Sequence, residues 1–231
     1  MIERKIILKG AKYKSAWIEE AASLLERSAV VVHPTETVHG LGCRYDSSSG
    51  IERISRLKER PADKPMIFLV PESSWLDKLC EKVPETAYKL IEFFWPGPLT
   101  LILSTAQTAR SNLAGLGETI AVRQCAHPFT AQVLEELKLP IVSTSLNRSG
   151  QPVQQDPQRS LDLLAATWKK EPSLCPELAV IDIMKSKTQV LPSTILSVES
   201  NGTLSLIRQG ACPLQEISNK AGIALSAIEH S

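Results

Sequence analysis

The stretch His33-Pro-Thr-Glu-Thr-Val-His-Gly-Leu-Gly42 follows directly on the apolar, β-branched run Ala29–His33. An uninterrupted run of this kind is typical of a strand that is buried on both faces, as in α/β sheets. The polar residues therefore come at the end of a strand, where loops build ligand sites. Gly40 and Gly42 would let the backbone approach a ligand, although a lone Gly-x-Gly more often serves only a turn. The stretch predicts an α/β fold with a ligand loop.

Helical and extended patterns alternate along the rest of the chain. Apolar residues recur at the helical period over 17–27, with Ser15 as the cap. Ser49 with Glu52 is a capping-box signature for a second helix, which Pro61 should end. Asn201-Gly202 predicts a late hairpin that joins strands over 193–198 and 203–208. The other predicted strands lie near 66–70, 99–103, 119–123, 141–144 and 179–183, and the other helices near 74–82, 85–94, 128–137, 160–168 and after 213.

This order of elements predicts one domain over residues 1–231, with its core at about 15–215. Because helices and strands alternate early and a hairpin comes late, we expect a twisted sheet that mixes parallel and antiparallel pairs and is flanked by helices. The composition agrees, since 43% hydrophobic and 22% charged residues are ordinary for a globular protein.

The bulk properties also exclude several classes of protein. A formal net charge of +1 gives little long-range attraction to nucleic acid, so any RNA contact must be local. The five cysteines form no CxxC pair and the four histidines no metal constellation, so we expect no protein metal site. No apolar run reaches the length of a membrane span and no secretory leader is evident, which favours the cytoplasm and no membrane contact.

Three cations flank a proline just after the second helix. Lys58 and Arg60 precede Pro61 and Lys64 follows it, so the chain reversal places positive charge on both sides. Such cations could converge on one polyphosphate.

The helical wheel separates these cations from their neighbours. Lys58 falls on the same stripe as the apolar Ile51 and Ile54, so it either snorkels along the surface or reaches into a site. We assign the solvated face of this helix, with its ion pairs, to Glu52, Arg53, Arg56 and Glu59.

Further polar groups follow other strands. The segment Ser143-Thr-Ser-Leu-Asn147 could form a nest for a carboxylate or nucleotide, but ordinary turns have the same composition. Ser193-Thr194 and Arg208 are weak signals individually. Arg123 is more informative, because a half-buried arginine on a short apolar strand needs an anionic partner: Asp, Glu or a substrate carboxylate.

Taken together, these pieces resemble the YrdC-like family of L-threonylcarbamoyladenylate synthases, in its short form. The matching blocks occur in the family's order: Pro34–Gly42, Leu57–Pro65, Trp95–Thr100, Ala121–Arg123 before Ala126–Pro128, Ser143–Gly150, Ser193–Ile195 and Arg208–Gly210.

The resemblance implies a YrdC-like fold and a nucleotidyltransferase. In the family, threonine is carboxylated on its amine by bicarbonate or CO2, and the carbamate attacks the α-phosphorus of ATP, with Mg²⁺ bridging the phosphates. Pyrophosphate leaves, and partner proteins of a threonylcarbamoyl-transfer complex pass the product's acyl group to tRNA. Such chemistry depends mainly on positioning and charge neutralisation, which the cations and hydroxyls above can supply.

The resemblance also implies a role for each matched residue. Lys58 and Arg60 are expected to carry catalysis. The residues expected to hold threonine are Thr37, Arg123, Ser143 and Ser193. Those expected to surround ATP are Lys58, Arg60, Lys64, Thr119, Ser145, Asn147 and Arg208.

Three positions depart from the family. His39 stands where an aromatic residue such as tyrosine is usual, Leu69 replaces a histidine that contacts threonine in longer members, and Ile183-Met184 replaces a glycine pair. Two alternatives stay open. One is a paralogue that has lost synthesis and binds double-stranded RNA or tRNA, against which the near-neutral charge counts. The other is a carbamoyl-adenylate-forming domain of hydrogenase-maturation type, against which the lack of acylphosphatase or zinc-finger segments counts.

Overall fold

The computed structural model describes residue 2 and residues 4–8, 13–61, 66–113, 116–182, 191–224 and 228–230. The strands are β1 (Arg4–Leu8), β2 (Val31–His33), β3 (Gly40–Arg44), β4 (Ile67–Leu69), β5 (Leu99–Ser104), β6 (Thr119–Arg123), β7 (Ile141–Ser145), β8 (Leu178–Asp182), β9 (Thr194–Val198), β10 (Leu204–Arg208) and β11 (Ile228–His230). The α-helices are α1 (Ser15–Glu26), α2 (Ser48–Lys58), α3 (Leu76–Leu79), α4 (Glu85–Phe94), α5 (Gln107–Asn112), α6 (Pro128–Leu137), α7 (Pro157–Lys170) and α8 (Leu214–Ala221).

Within these ranges all the strands join one sheet, in the order β1-β8-β2-β3-β7-β4-β6-β5-β9-β10-β11. The sheet contains both parallel pairs, such as β1 with β8 and β4 with β6, and antiparallel pairs, such as β2 with β3 and β4 with β7. The predicted α/β fold with a mixed sheet is therefore confirmed.

Helices cover both faces of the sheet. Successive residues of β8 alternate between two hydrophobic cores, because side chains of a strand point alternately to opposite faces. One core contains buried residues of α1 and α6, which pack together, and the other contains residues of α2, α4, α7 and α8. The sheet thus forms the middle of three layers.

The structure adds elements that the sequence patterns did not predict. The end of the quoted stretch is not a loop, since Gly40 and Gly42 belong to β3, which pairs with β2 and β7. Nor did the sequence patterns predict β1, β11 or α5. Glycine-rich strands such as β3 and very short ones such as β11 carry little intrinsic β preference, and partners elsewhere in the chain make them strands here.

Two helix starts were also predicted wrongly. Lys14 takes the N-cap position of α1 without a side-chain hydrogen bond, so Ser15 is already helical. In α2 the cap is Ser47, whose hydroxyl accepts a hydrogen bond from the Gly50 amide at 3.1 Å. Ser49 lies inside that helix.

The solvated face of α2 needs one further correction. Arg56 does pair with Glu52, at 3.9 Å, and also with Glu171. Arg53, however, reaches Glu177 at 2.8 Å and the Cys175 carbonyl at 2.9 Å. Its side chain is only 24% exposed, so it fastens α2 to the segment before β8 rather than facing water.

Candidate active site

Two neighbouring cavities lie where the predicted site residues meet. The first has a volume of about 250 Å³ and is lined by residues of β3, β4, β6 and β7 and by the ends of β9 and β10. The second, about 470 Å³, lies beside the end of α2 and the segment that follows β7. Predicted site residues that line the first are Thr37, Arg60, Arg123, Ser143, Ser145, Ser193 and Arg208, and those that line the second are Lys58 and Asn147.

A directed chain of hydrogen bonds orients Thr37 in the first cavity. Arg123 Nη1 donates to Thr37 Oγ1 at 3.2 Å, and the hydroxyls of Thr37 and Thr35 are 2.9 Å apart. Because Thr35 Oγ1 donates its own proton to the Val38 carbonyl at 2.7 Å, the Thr37 hydroxyl must donate to Thr35. Thr37 therefore presents its remaining oxygen lone pair, not its proton, to the cavity.

Arg123 ends β6 with only 4% of its surface exposed. Its nearest anionic neighbour among the described residues is Glu36, with the Nε and Oε1 atoms 3.8 Å apart. That distance gives charge compensation but no hydrogen bond, and Nε–H has no hydrogen-bond partner in the described structure. A buried guanidinium with unused donors is suited to a ligand carboxylate.

The sequence analysis missed Glu36, although the requirement of Arg123 for an anionic partner pointed to such a residue. The Glu36 carboxylate accepts hydrogen bonds at 3.1 Å from the Ala126 amide and from the Cys125 thiol. It thus fixes the backbone immediately after Arg123. Burial, with Glu36 as the next cause, raises the pKa of Cys125 to about 12, so this thiol stays protonated.

The turn before β9 is held by Arg208. Its Nη2 and Nε donate to the Ser193 carbonyl at 2.9 and 3.2 Å, and Thr100 lies 2.8 Å from the Ser193 hydroxyl. Partial burial and, second, the nearby Arg123 lower the pKa of Arg208. With Arg60 on the same wall, the first cavity is strongly cationic.

Gly210 makes this arrangement sterically feasible. A Cβ atom at that position would lie 2.5 Å from the Ser193 carbonyl oxygen and 2.3 Å from the Pro192 oxygen. Its amide donates to the Thr194 hydroxyl at 2.9 Å, which ties the end of β10 to the start of β9.

Lys58 reaches inward, as the helical wheel allowed, and is 1% exposed. Its ammonium donates to the carbonyl oxygens of Ser145 and Asn147 and, at 3.2 Å, to Asn147 Oδ1. Burial and, to a lesser extent, Arg60 lower the pKa of Lys58 to about 7. The protein thus holds a cation that is only partly neutralised by dipoles and favours a negatively charged ligand.

A left-handed residue directs Lys58 and Arg60 to different cavities. Helix α2 ends at Lys58, and Glu59 has φ of +52°, so the chain turns before Pro61 rather than because of it. Lys58 then lines the second cavity and Arg60 the first, with Ser145 between them. One ligand that spans both cavities would meet both cations.

Two predicted site residues are not brought together with the others. Thr119 is exposed at the opposite end of β6 from Arg123, about 13 Å away for four extended residues. It lines a separate cleft with Ser104 and Ser197. Lys64 lies outside the described residues.

One protein-family model matches most of the sequence of this chain. A family model for Sua5, YciO and YrdC proteins, described as telomere recombination, matches residues 23–210. This range includes both cavities and every predicted site residue. The chain belongs to the Sua5/YciO/YrdC family.

Several relatives in the family share one name. Threonylcarbamoyl-AMP synthase of Bacillus subtilis is 41% identical over 136 residues, which are 58% of this chain and 39% of that protein. The Vibrio vulnificus protein of the same name is 35% identical over 136 residues, 58% of this chain and 73% of that protein. The chain therefore spans about two fifths of the first relative and nearly three quarters of the second.

Solved structures of the family have the same fold. P. abyssi Sua5 complexed with L-threonine aligns with a TM-score of 0.80 at 28% identity, over 98% of this chain and 62% of that one. E. coli YciO aligns with a TM-score of 0.74 at 22% identity, over 94% of this chain and 99% of that one. At that identity the second likeness shows the fold alone.

Of the three positions that depart from the family's usual pattern, Leu69 lines the first cavity. Leu69 is 1% exposed and forms part of its apolar wall. His39 precedes β3, and its Nε2 accepts a hydrogen bond from the Asp182 amide at 3.0 Å, while the Asp182 carboxylate lies 3.0 Å from His127 Nε2. Ile183-Met184 falls outside the described residues.

Acid should break the contact between His39 and Asp182. Burial and then His127 lower the pKa of His39 to about 4, from about 6.5 in an unfolded chain. Since the folded state binds this proton less well, the stabilisation is complete above pH 6.5 and is lost as the pH falls toward 4. Between those values the free energy of unfolding should fall by about 3 kcal/mol more in the natural chain than in His39→Tyr. Urea unfolding at both pH values measures this difference, and equal losses would contradict it.

Among the described side chains no group of three or more His, Cys, Asp or Glu residues could hold a metal ion. In the same part of the chain, no helix is both long and apolar enough to cross a membrane.

Proposed function

We propose that this chain is an L-threonylcarbamoyladenylate synthase, which forms threonylcarbamoyl-AMP and pyrophosphate from L-threonine, bicarbonate or CO2, and ATP. The observation that carries the proposal is the buried Arg123 in a small cationic cavity that adjoins a larger one through Lys58 and Ser145. An amino acid and a nucleotide require such a pair of sites, one for a carboxylate and one for phosphates. The named relatives support the same reaction.

In this proposal the first cavity holds threonine. Its carboxylate would take the free donors of Arg123, and the hydroxyls of Thr37, Ser143 and Ser193 would surround the rest of the molecule. A volume of about 250 Å³ suits a small amino acid and its carbamate better than a whole nucleotide. P. abyssi Sua5, which was solved with L-threonine, supports this assignment.

ATP would lie across the boundary between the cavities. Its α-phosphate would sit between Lys58 and Arg60, near the carbamate, and its nucleoside would occupy the larger cavity beside Asn147. The catalytic contribution of Lys58 and Arg60 is then charge stabilisation as pyrophosphate departs. We propose that Mg²⁺ arrives with ATP, because this ion prefers phosphate oxygens and water as ligands. The ATP contact of Lys64 stays a hypothesis. The ATP contact of Thr119 also stays a hypothesis, and it is not favoured, because Thr119 lies at the far end of β6 from both cavities.

The proposed product, threonylcarbamoyl-AMP, has to be used by another protein. The product is an activated acyl group, so a partner must transfer it; we propose a threonylcarbamoyl-transfer complex that modifies tRNA in the cytoplasm. The single continuous sheet supports one catalytic domain over residues 1–231.

The direct test is synthesis by the purified chain. With ATP, Mg²⁺ and bicarbonate, we expect pyrophosphate release that depends on L-threonine, because the proposed nucleophile, the carbamate, forms from threonine and bicarbonate. Threonylcarbamoyl-AMP should appear in the same samples by mass spectrometry. Valine, which has the shape of threonine but lacks the hydroxyl, serves as the matched control and should support little release. A chain that releases no pyrophosphate yet binds double-stranded RNA tightly would favour the non-synthesising paralogue.

A further inference from the structure

One side chain beside the threonine cavity has no place in the proposed chemistry. His33 ends β2 with 4% of its surface exposed, and its Nε2 lies 3.0 Å from the hydroxyl of Ser143 on β7. Strand β3 runs between these two strands, so the imidazole reaches over a whole strand to make this contact.

The glycines of β3 make this reach possible. Gly40 pairs with His33, and Gly42 pairs with Ser143. A Cβ atom at Gly40 would stand 2.7 Å from His33 Nε2 and 2.6 Å from Ser143 Oγ, and one at Gly42 would stand 3.1 Å from the same nitrogen. The two glycines that seemed to admit a ligand therefore make room for the histidine ring.

The imidazole is neutral in this position. Burial, followed by the charges of His39, Arg123 and His127, lowers the pKa of His33 to about 3. A ring that does not take up a proton near neutral pH cannot serve as a general base for Ser143. It can still form a directed hydrogen bond with the hydroxyl.

The charges in the cavity determine the favoured direction of that bond. Ser143 shares the cavity wall with Arg60 and Arg123, whose positive guanidinium groups attract the negative end of the hydroxyl dipole. This arrangement would turn the oxygen lone pairs toward the cavity and the hydroxyl proton toward His33 Nε2. The ring would then carry its own proton on Nδ1.

We propose that His33 is a positioning residue, which holds the Ser143 hydroxyl as a fixed acceptor for the N–H group of threonine or its carbamate. The inference rests on the proposed function, since it names the partner of Ser143 in that reaction. A free hydroxyl rotates and must be ordered when substrate binds, so a preset hydroxyl improves substrate affinity.

A double-mutant cycle tests this role. His33→Phe keeps the ring volume above the glycines but removes the acceptor, and Ser143→Ala removes the hydroxyl. We expect His33→Phe to raise the KM for threonine about tenfold, with the KM for ATP changed less than about twofold. In the Ser143→Ala background, His33→Phe should change the KM for threonine by less than about twofold, because the group it orients is absent.

A conservative variant separates positioning from packing. The amide of His33→Gln can reach about as far as Nε2 and should recover most of the threonine affinity, whereas a purely structural role would not need it. Thermal unfolding checks that all variants are folded, and calorimetric titration with L-threonine reports binding without chemistry.

The outcomes distinguish this inference from the proposed function. If the natural chain releases pyrophosphate but His33→Phe has equal effects with and without Ser143, the positioning role is wrong and the synthase activity stands. If the natural chain binds threonine but makes no product, the synthase activity is contradicted. The double-mutant cycle, measured as threonine affinity by calorimetry, then still decides the role of His33. A natural chain that binds no threonine overturns both.

Discussion

Pyrophosphate release is expected to fall about 10²- to 10³-fold in Lys58→Met, the size of effect seen when a group that stabilises developing charge is removed. The ammonium of Lys58 is the buried cation between the two cavities, where it contacts the Ser145–Asn147 segment. Methionine keeps most of the aliphatic volume, so the packing of α2 is retained. Lys89→Met, at an exposed lysine on α4 that pairs with Glu85 one turn away, is the matched control and should retain full activity.

Stability should separate this loss from misfolding. A buried ammonium with a pKa near 7 is costly to keep charged, so Lys58→Met should unfold at the same temperature as the natural chain or a higher one at pH 6. In the natural chain the free energy of unfolding should rise above pH 7, because the unfolded lysine still binds a proton there and the folded one does not. Lys58→Met should lack this rise. A variant that is inactive and also unfolds much earlier would contradict the assignment of a catalytic role.

Calorimetry offers a second readout for Lys58. The charge of ATP should raise the pKa of this lysine, so binding at pH 8 should take up a proton. The observed enthalpy would then depend on the ionisation heat of the buffer. This dependence should vanish in Lys58→Met, whereas an unchanged dependence would place the proton elsewhere.

Arg123→Met is expected to reduce kcat/KM for threonine about 10²- to 10³-fold, because it removes the buried partner of the substrate carboxylate. Arg123→Lys keeps the charge but not the forked geometry, and should recover only part of the activity. Arg110 is an exposed arginine on α5, and Arg110→Met should have no effect.

The ion pair with Glu36 requires a further control. Removing Arg123 leaves the Glu36 carboxylate without its cation, so Arg123→Met should also lower stability. The double variant Glu36→Gln/Arg123→Met should regain most of that stability and none of the activity. Activity that returns together with stability would show that Arg123 serves the fold rather than the substrate.

Local patterns in the sequence predicted much of this site. The helical wheel placed Lys58 on the inward stripe of α2, and the apolar context of Arg123 required an anionic partner. Both arguments use only neighbours in the chain. Lys58 is buried as the wheel predicted, and Arg123 has Glu36 as an anionic neighbour at 3.8 Å. The mixed sheet was likewise predictable, because the alternation of helices and strands follows from local hydrophobic patterns in the sequence.

Features that depend on distant residues were not predictable in this way. Nothing near Gly40 shows that the ring of His33 needs its space, because Ser143 completes that contact from another strand. The helical wheel predicts Arg53 on the solvated face, but the fold brings Glu177, 124 positions further along the chain, beside it. Thr119 seemed close to Arg123 in sequence, yet an extended strand moves the two apart.

The strand order has a consequence for synthesis of the chain on the ribosome. Strand β8 lies between β1 and β2, two strands that are made far earlier. Their facing edges stay without backbone partners until residue 182 has emerged, so the nascent chain exposes apolar strands throughout most of translation. Such late, non-local pairing slows folding and favours association between unfinished chains. Because β8 is inserted so late, we expect chaperones to bind the growing polypeptide until this strand has emerged.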